Sequence, residues 1–178
     1  MLKLSFEEIN KRTYSLIDLE TLPRHPIYVV CENIRSLYNV GSIFRTADGI
    51  RARKLYLCGY TGYPPRKEID KVALGAVESV PWEYHQDITK VLRNLKDERI
   101  QVVALEHTDT SIDFQTFQYS FPMAIVVGHE YDGLTQEALN YCRDAVEIPM
   151  YGIKQSLNVA TAFGVIGYEI VRQYMLSK

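Results

Sequence analysis

The sequence predicts an α/β fold, a mostly parallel sheet with helices on both faces, and three observations carry that prediction. Short, near-continuous apolar runs (IYVVC, KLYLCGY, QVVALEH, MAIVVG, AVEIPM) alternate with stretches of helical spacing. A strand that is apolar at nearly every position is buried on both faces, so helices must lie above and below it. The chain has 178 residues, 47% of them hydrophobic. That is enough for one well-covered core and too little for two ordinary domains, so residues 1–178 are expected to form a single domain with no second domain beside it.

Ser5 and Glu8 form a capping-box pair, so a first helix is expected over about 5–19, ended by Pro23 and Pro26 before the strand IYVVC. Val40 to Ala47 reads as a helix from its apolar Ile43, Phe44 and Ala47. KLYLCGY is a strand closed by Gly62 and the Pro64-Pro65 pair. A charged helix around Glu68 to Ala73 leads through Gly75 to an extended piece near Trp82. Ile88 to Leu95 is helical by its i, i+3, i+4 spacing. QVVALEH, MAIVVG and AVEIPM are buried strands, with a helix from Thr135 to Cys142 between the last two. Leu157 to Leu176 ends the sequence as a long apolar helix.

Composition narrows the function classes. No apolar stretch approaches the roughly 20 residues needed to span a bilayer, and the N-terminal segment turns charged before any apolar run develops, so a soluble, cytoplasmic protein is expected. Cys31, Cys58 and Cys142 are odd in number and form no C-x-x-C pair, which argues against a disulfide framework and against zinc. The net charge of -2 is unevenly spread: Arg35 to Lys71 holds eight Lys or Arg against Asp48, Glu68 and Asp70, giving +5 there and -7 elsewhere. Such asymmetry suggests a polyanion-binding face that uses Arg35, Arg51, Arg53, Lys54 and Arg66. The glycine fingerprints of dinucleotide-binding and P-loop proteins are absent. His129-Glu130 begins like a zincin motif, but Gly133 stands where the second His would be required, so no metal is expected.

Three polar, glycine-containing segments stand where strands end. The first runs from Asn33 to Asp48 and includes Asn39, Gly41 and Arg45; its helix opening is a plausible seat for an RNA phosphate. The second is Gly128-His129-Glu130-Tyr131-Asp132-Gly133, where a strand-ending glycine permits close approach of a ligand. The third is Ile148-Pro149-Met150-Tyr151-Gly152, then Ser156-Leu157-Asn158-Val159. Ser156 is its candidate N-cap, and Asn158, a poor helix former, calls for a specific hydrogen bond.

In this order the three segments resemble the sequence motifs of the SpoU family of RNA methyltransferases, in the SPOUT superfamily, from about Ile27 onward. His129 departs from the Asn or Thr that the family often carries there, and Ala160 from a common Ser. The resemblance implies a C-terminal deep trefoil knot, with 148–160 threaded through a loop near 105–130. It implies S-adenosylmethionine held by Leu105, Gly128, Ile148, Met150, Ser156 and Leu157, and methyl transfer to a ribose 2′-hydroxyl of RNA, tRNA first and rRNA second.

The resemblance also implies a catalytic set of Asn39, Arg45, Glu130, Ser156 and Asn158. In the family the residue matching Arg45 handles the hydroxyl proton. A guanidinium is a poor base, so orientation and oxyanion stabilisation are the role expected of it, with Asn39 and Glu130 holding it. Ser156 and Asn158 would organise the nucleophile side. A homodimer is expected through the last helix, from Phe163, Ile166, Ile170 and Val171 with Gly164 and Gly167 allowing close approach. Two other readings are an RNA-binding relic without catalysis and a base-directed RNA methyltransferase.

Overall fold

The computed structural model describes residues 1–178, the side chain of Glu20 apart. Two short helices open it, α1 (Phe6–Asn10) and α2 (Leu16–Thr21), where one helix over 5–19 was expected. The cause is a second capping box. Ser15 accepts from the Asp18 amide while Asp18 accepts from the Ser15 amide, so the chain restarts its helix at Ser15.

The remaining elements follow in the order β1 (Ile27–Glu32), α3 (Leu37–Gly49), β2 (Lys54–Cys58), α4 (Lys67–Ala73), α5 (Ala76–Ser79), β3 (Trp82–His85), α6 (Ile88–Asp97) and β4 (Gln101–Leu105). Then come β5 (Ile112–Asp113), β6 (Met123–Val127), α7 (Gln136–Leu139), β7 (Asp144–Glu147) and α8 (Val159–Leu176). The two-residue β5 and the single-turn α5 are too short to leave a periodic signal in the sequence. AVEIPM is strand only as far as Glu147.

The strands form one seven-stranded sheet, β3-β2-β1-β6-β4-β7-β5, parallel throughout. Alternation along the central strands divides the core between its faces. Ile27, Val29, Cys31, Met123, Ile125 and Val127 face one cluster, closed by α3, α4, α5 and α8. Val30, Ala124 and Val126 face the other, closed by α6 and α7. These strands are therefore apolar at every position because each face has a helical cover.

The order reverses between β1 and β4, with β6 inserted between them. An open α/β sheet leaves a crevice outside the carboxyl ends of its strands at such a switch point. Among the described residues, no helix is long and apolar enough to cross a membrane.

Candidate active site

Glu130, just beyond the carboxyl end of β6, is the centre of the polar network. Its carboxylate accepts from the backbone N–H of Arg35 and of Ser36, both at 2.9 Å, and from Asn39 Nδ2 at 2.7 Å. The first two donors lie at the opening of α3, where unpaired amides and the helix dipole favour an anion. The anion seated there is the protein's own carboxylate, in the place where an RNA phosphate was expected. Burial raises the Glu130 carboxyl, but the donors from Arg35, Ser36 and Asn39 outweigh it and hold the pKa below its ordinary value.

Asn39 passes the network on. Its Oδ1 accepts from Asn158 Nδ2 at 3.1 Å, and Asn158 Oδ1 accepts from the amides of Ala160 and Thr161 at 3.0 and 3.3 Å. Asn158 is thus the N-cap of α8, a role expected of Ser156. The specific hydrogen bond sought for the Asn158 amide is the one to Asn39. A chain of side chains from Glu130 through Asn39 to Asn158 thereby ties the three motif segments to one another.

Beside this network a cavity of about 270 Å³ lies across the carboxyl ends of β4, β6 and β7. Leu105, Val127, Gly128, Ile148, Leu157, Val159 and Ala162 supply apolar wall, and Ser156 and Gln155 close one side. Glu106, Glu130, Asp132 and Glu147 also line it, and no Lys or Arg does among the described residues. Gly128 has a sharper reason than ligand access. A Cβ there would stand 2.5 Å from the carbonyl carbon of Gly133 and 2.6 Å from the Leu134 nitrogen, so the tight 128–134 loop needs a glycine. His129 and Gly133 exchange backbone hydrogen bonds at 3.1 and 3.0 Å, and Glu106 anchors the loop by accepting from the Leu134 amide at 2.8 Å.

The sequence profile of the SpoU rRNA Methylase family matches residues 26–168, most of the chain. The chain belongs to that family. A curated relative from Escherichia coli K12, a tRNA (guanosine(18)-2'-O)-methyltransferase, is 32% identical over 169 residues, 93% of this chain and 72% of the relative. A 23S rRNA (guanosine-2'-O-)-methyltransferase of Vibrio parahaemolyticus is 31% identical over 86% of this chain and 62% of its own length. Among solved structures, the Aquifex aeolicus TrmH/SpoU tRNA modifying enzyme superposes with a TM-score of 0.82 at 29% identity, covering 96% of this chain and 85% of that one. AviRb of Streptomyces viridochromogenes, a SpoU methyltransferase solved with AdoMet, has a TM-score of 0.78 at 28% identity, covering 86% and 60%.

Within this SpoU fold the expected site residues fall into distinct groups. Asn39, Glu130 and Asn158 are joined by hydrogen bonds. Leu105, Gly128, Ile148, Ser156 and Leu157 line the cavity; Met150 does not. Arg45 is exposed and makes no hydrogen bond or ion pair among the described residues, so Asn39 and Glu130 do not hold it. Helix geometry gives the reason. Six residues place Arg45 about 9 Å along α3 from Asn39 and about 120° round it.

The basic segment does not form one face. Arg35 and Arg66 are exposed beyond the carboxyl ends of β1 and β2, on the cavity side. Arg51, Arg53 and Lys54 precede or begin β2, at least about 13 Å of strand away. Arg51 donates to the carbonyls of Leu19, Leu22 and Pro23, so it fastens the N-terminal segment, and Lys54 pairs with Glu83 at 2.5 Å. Only Arg53 of that trio is exposed and free of such ties among the described residues.

The dimer argument also changes. Phe163, Ile166 and Ile170 are fully buried in the core of the chain itself, and a Cβ on Gly167 would touch Ile50. The apolar surface that α3 and α8 leave in water is instead Tyr38, Val165 and Tyr168, with Met175 and Leu176 in the last turn of α8. The thiols are free; Cys31 and Cys58 are buried, and burial pushes Cys58 and Cys142 up to about 12.

Glu106, Asp132 and Glu147 were not expected in the site. Glu106 and Glu147 directly follow or end apolar strands, the one signal that marks them in the sequence. Glu32 carries the same signal. It is 3% exposed, and its carboxylate accepts from the amide and hydroxyl of Thr135, fixing the end of the second motif segment.

Proposed function

We propose that this SpoU-family chain is an S-adenosylmethionine-dependent RNA methyltransferase that acts on a ribose 2′-hydroxyl, with tRNA as its substrate. The observation that carries the reading is the Glu130–Asn39–Asn158 chain at the mouth of a cavity at the switch point of the sheet. The cavity suits the cofactor by its chemistry. Apolar walls from Leu105, Ile148 and Leu157 fit an adenine, and four carboxylates without a Lys or Arg fit a ligand that carries a sulfonium and an ammonium. S-adenosylmethionine, when bound, supplies the activated methyl group. The names of the relatives, tRNA (guanosine(18)-2'-O)-methyltransferase foremost, support ribose chemistry over base chemistry.

The protein's own part is positioning and charge. A ribose hydroxyl is a weak nucleophile at neutral pH, so its oxygen must be oriented and the charge developing on it stabilised. Arg45 is assigned that role, with a substrate phosphate receiving the proton, because a guanidinium stays protonated. Arg45 points away from its own hub, so the reading includes a homodimer in which α3 and α8 meet a second copy through Tyr38, Val165 and Tyr168. The threaded path of 148–160 through the 105–130 loop belongs to the same reading, supported by the strand order and the likeness to TrmH/SpoU structures.

The test is incubation with unmodified tRNA and labelled S-adenosylmethionine, then nucleoside analysis. A 2′-O-methylated nucleoside is expected. A base-methylated product, or binding without any product, would overturn it in favour of the base-directed enzyme or the binding relic. Methylation of ribosomal RNA alone would move the substrate to that class.

A further inference from the structure

A second cleft, of about 360 Å³, lies at the opposite end of the sheet, where β4 and β6 begin. Three cations from two stretches of the chain line it: Lys96 in the last turn of α6 with Arg99 in the turn that follows, and Arg143 just ahead of β7. Among the described residues no Asp or Glu lines it. The cofactor cavity is the reverse, with four carboxylates and, among the described residues, no Lys or Arg. A polyanion drawn to this protein therefore takes its cationic anchors from outside that cavity.

The cleft is organised around Tyr141. Its hydroxyl accepts from Arg93 Nη2 at 3.0 Å, and Lys96 Nζ lies 5.8 Å from its ring centroid. Arg99 follows the C-cap of α6 with φ of 59°, a left-handed conformation that favours glycine. An arginine there keeps a charged side chain at the rim. Arg143 is exposed, and its nearest carboxylate, Asp144, is 3.9 Å away and also accepts from Gln101 at 3.4 Å. Phe121 provides apolar floor.

We propose that this cleft binds the phosphodiester backbone of the RNA substrate, remote from the methylated nucleotide. The inference rests on the reading that the substrate is RNA. Strand β4 runs from Gln101 at this cleft to Leu105 at the cofactor cavity, so the two lie about 13 Å apart along it, within the reach of one folded RNA. Phosphate contacts here would set the register of the RNA while the reacting ribose is presented at the mouth of the cofactor cavity.

The test uses Lys96→Glu/Arg143→Glu, two exposed positions outside the cofactor cavity, with S-adenosylmethionine calorimetry as the control for an intact fold. Binding of unmodified tRNA is measured across a series of KCl concentrations. About tenfold weaker binding is expected, with the log–log salt slope shallower by about one to two, because fewer counterions are released. Unchanged affinity and slope, while Arg35→Glu/Arg66→Glu loses tRNA binding, would overturn the cleft proposal and leave the RNA reading intact. Inorganic phosphate that binds the parent but not the double variant, with tRNA affinity equal in both, would make the cleft a free-anion site and overturn it too. A parent that binds no RNA would sink the proposed function, and the cleft proposal with it.

Discussion

The two walls of the cofactor cavity are built in opposite ways. The wall at 128–134 is tied down on every side: Glu130 holds two amides and Asn39, Glu106 holds the Leu134 amide, and Gly128 packs against the Gly133 backbone. The loop 151–157, which reaches the cavity at Gln155, Ser156 and Leu157, has almost no ties. Tyr151 and Ile153 are 97% and 100% exposed, and nothing lies within 4 Å of a Cβ built on Gly152. The first wall costs its ordering entropy during folding, whereas the second leaves much of that cost to ligand binding. On the proposed function, the fixed groups would hold the reacting geometry and the loose loop would let the cofactor enter.

The sharpest way to probe that division is Arg45, which belongs to neither wall. Arg45→Ala should keep cofactor affinity by calorimetry and stay within about 0.5 kcal/mol in stability, since the side chain is exposed and makes no hydrogen bond or ion pair among the described residues. Labelled-methyl incorporation should fall by about two to three orders of magnitude, the scale for loss of one oxyanion-stabilising donor. Arg45→Lys should be nearly as poor, because an ammonium lacks the planar fork. Near-normal turnover in Arg45→Ala would shift the chemistry to the rigid wall.

Removal of Glu130 should break that rigid wall. Glu130→Ala leaves the Arg35 and Ser36 amides and the Asn39 amide without their acceptor, so a loss of about 2–3 kcal/mol is expected. Differential scanning calorimetry should show a drop in Tm of roughly 5–10 °C. The lowered Glu130 pKa adds a pH signature. A carboxyl depressed in the folded state contributes stability that is fully present above its ordinary value of 4.5 and is lost as pH falls through the folded value. Urea midpoints of the parent should therefore decline more steeply on acidification below pH 4.5 than those of Glu130→Gln. Parallel curves for the two proteins would show that Glu130 does not carry the effect.

Asn158 separates capping from positioning. Asn158→Ala removes the α8 cap and the tie to Asn39, and should cost about 1 kcal/mol in urea unfolding. Asn158→Asp keeps an oxygen for the Ala160 and Thr161 amides but sets a carboxylate against Asn39 Oδ1. Stability near the parent with reduced methyl transfer is expected; equal activity would make Asn158 a cap alone.

The smallest effects on stability belong to the loose wall. Tyr151→Ala and Ser156→Ala should each leave unfolding within about 0.5 kcal/mol of the parent. Ser156→Ala should weaken cofactor binding, and amides of 151–157 should exchange more slowly with deuterium once S-adenosylmethionine is present. Equal exchange with and without cofactor would mean that the loop is not ordered by binding.

The linear chain determined the α/β layering, since strands apolar at every position can only be buried on both faces, and it marked the segments around Asn39, Glu130 and Asn158 through their place at strand ends and their resemblance, taken in order, to the SpoU motifs. Local rules also reached most element starts; the missed restart at Ser15 was itself a local capping box. Tertiary structure alone decided which groups meet. That Glu130 fills the opening of α3 depends on pairing across 91 to 95 residues, that Asn158 rather than Ser156 caps α8 depends on Asn39 turning its amide, and that Phe163 and Ile166 face inward depends on where α8 lands. The +5 segment shows the limit most clearly. Charge adds along a sequence, but a strand of about 13 Å separates Arg35 and Arg66 from Arg53, and an acidic cavity and a basic cleft emerge at opposite ends of one sheet because parallel strands carry every carboxyl end to the same side.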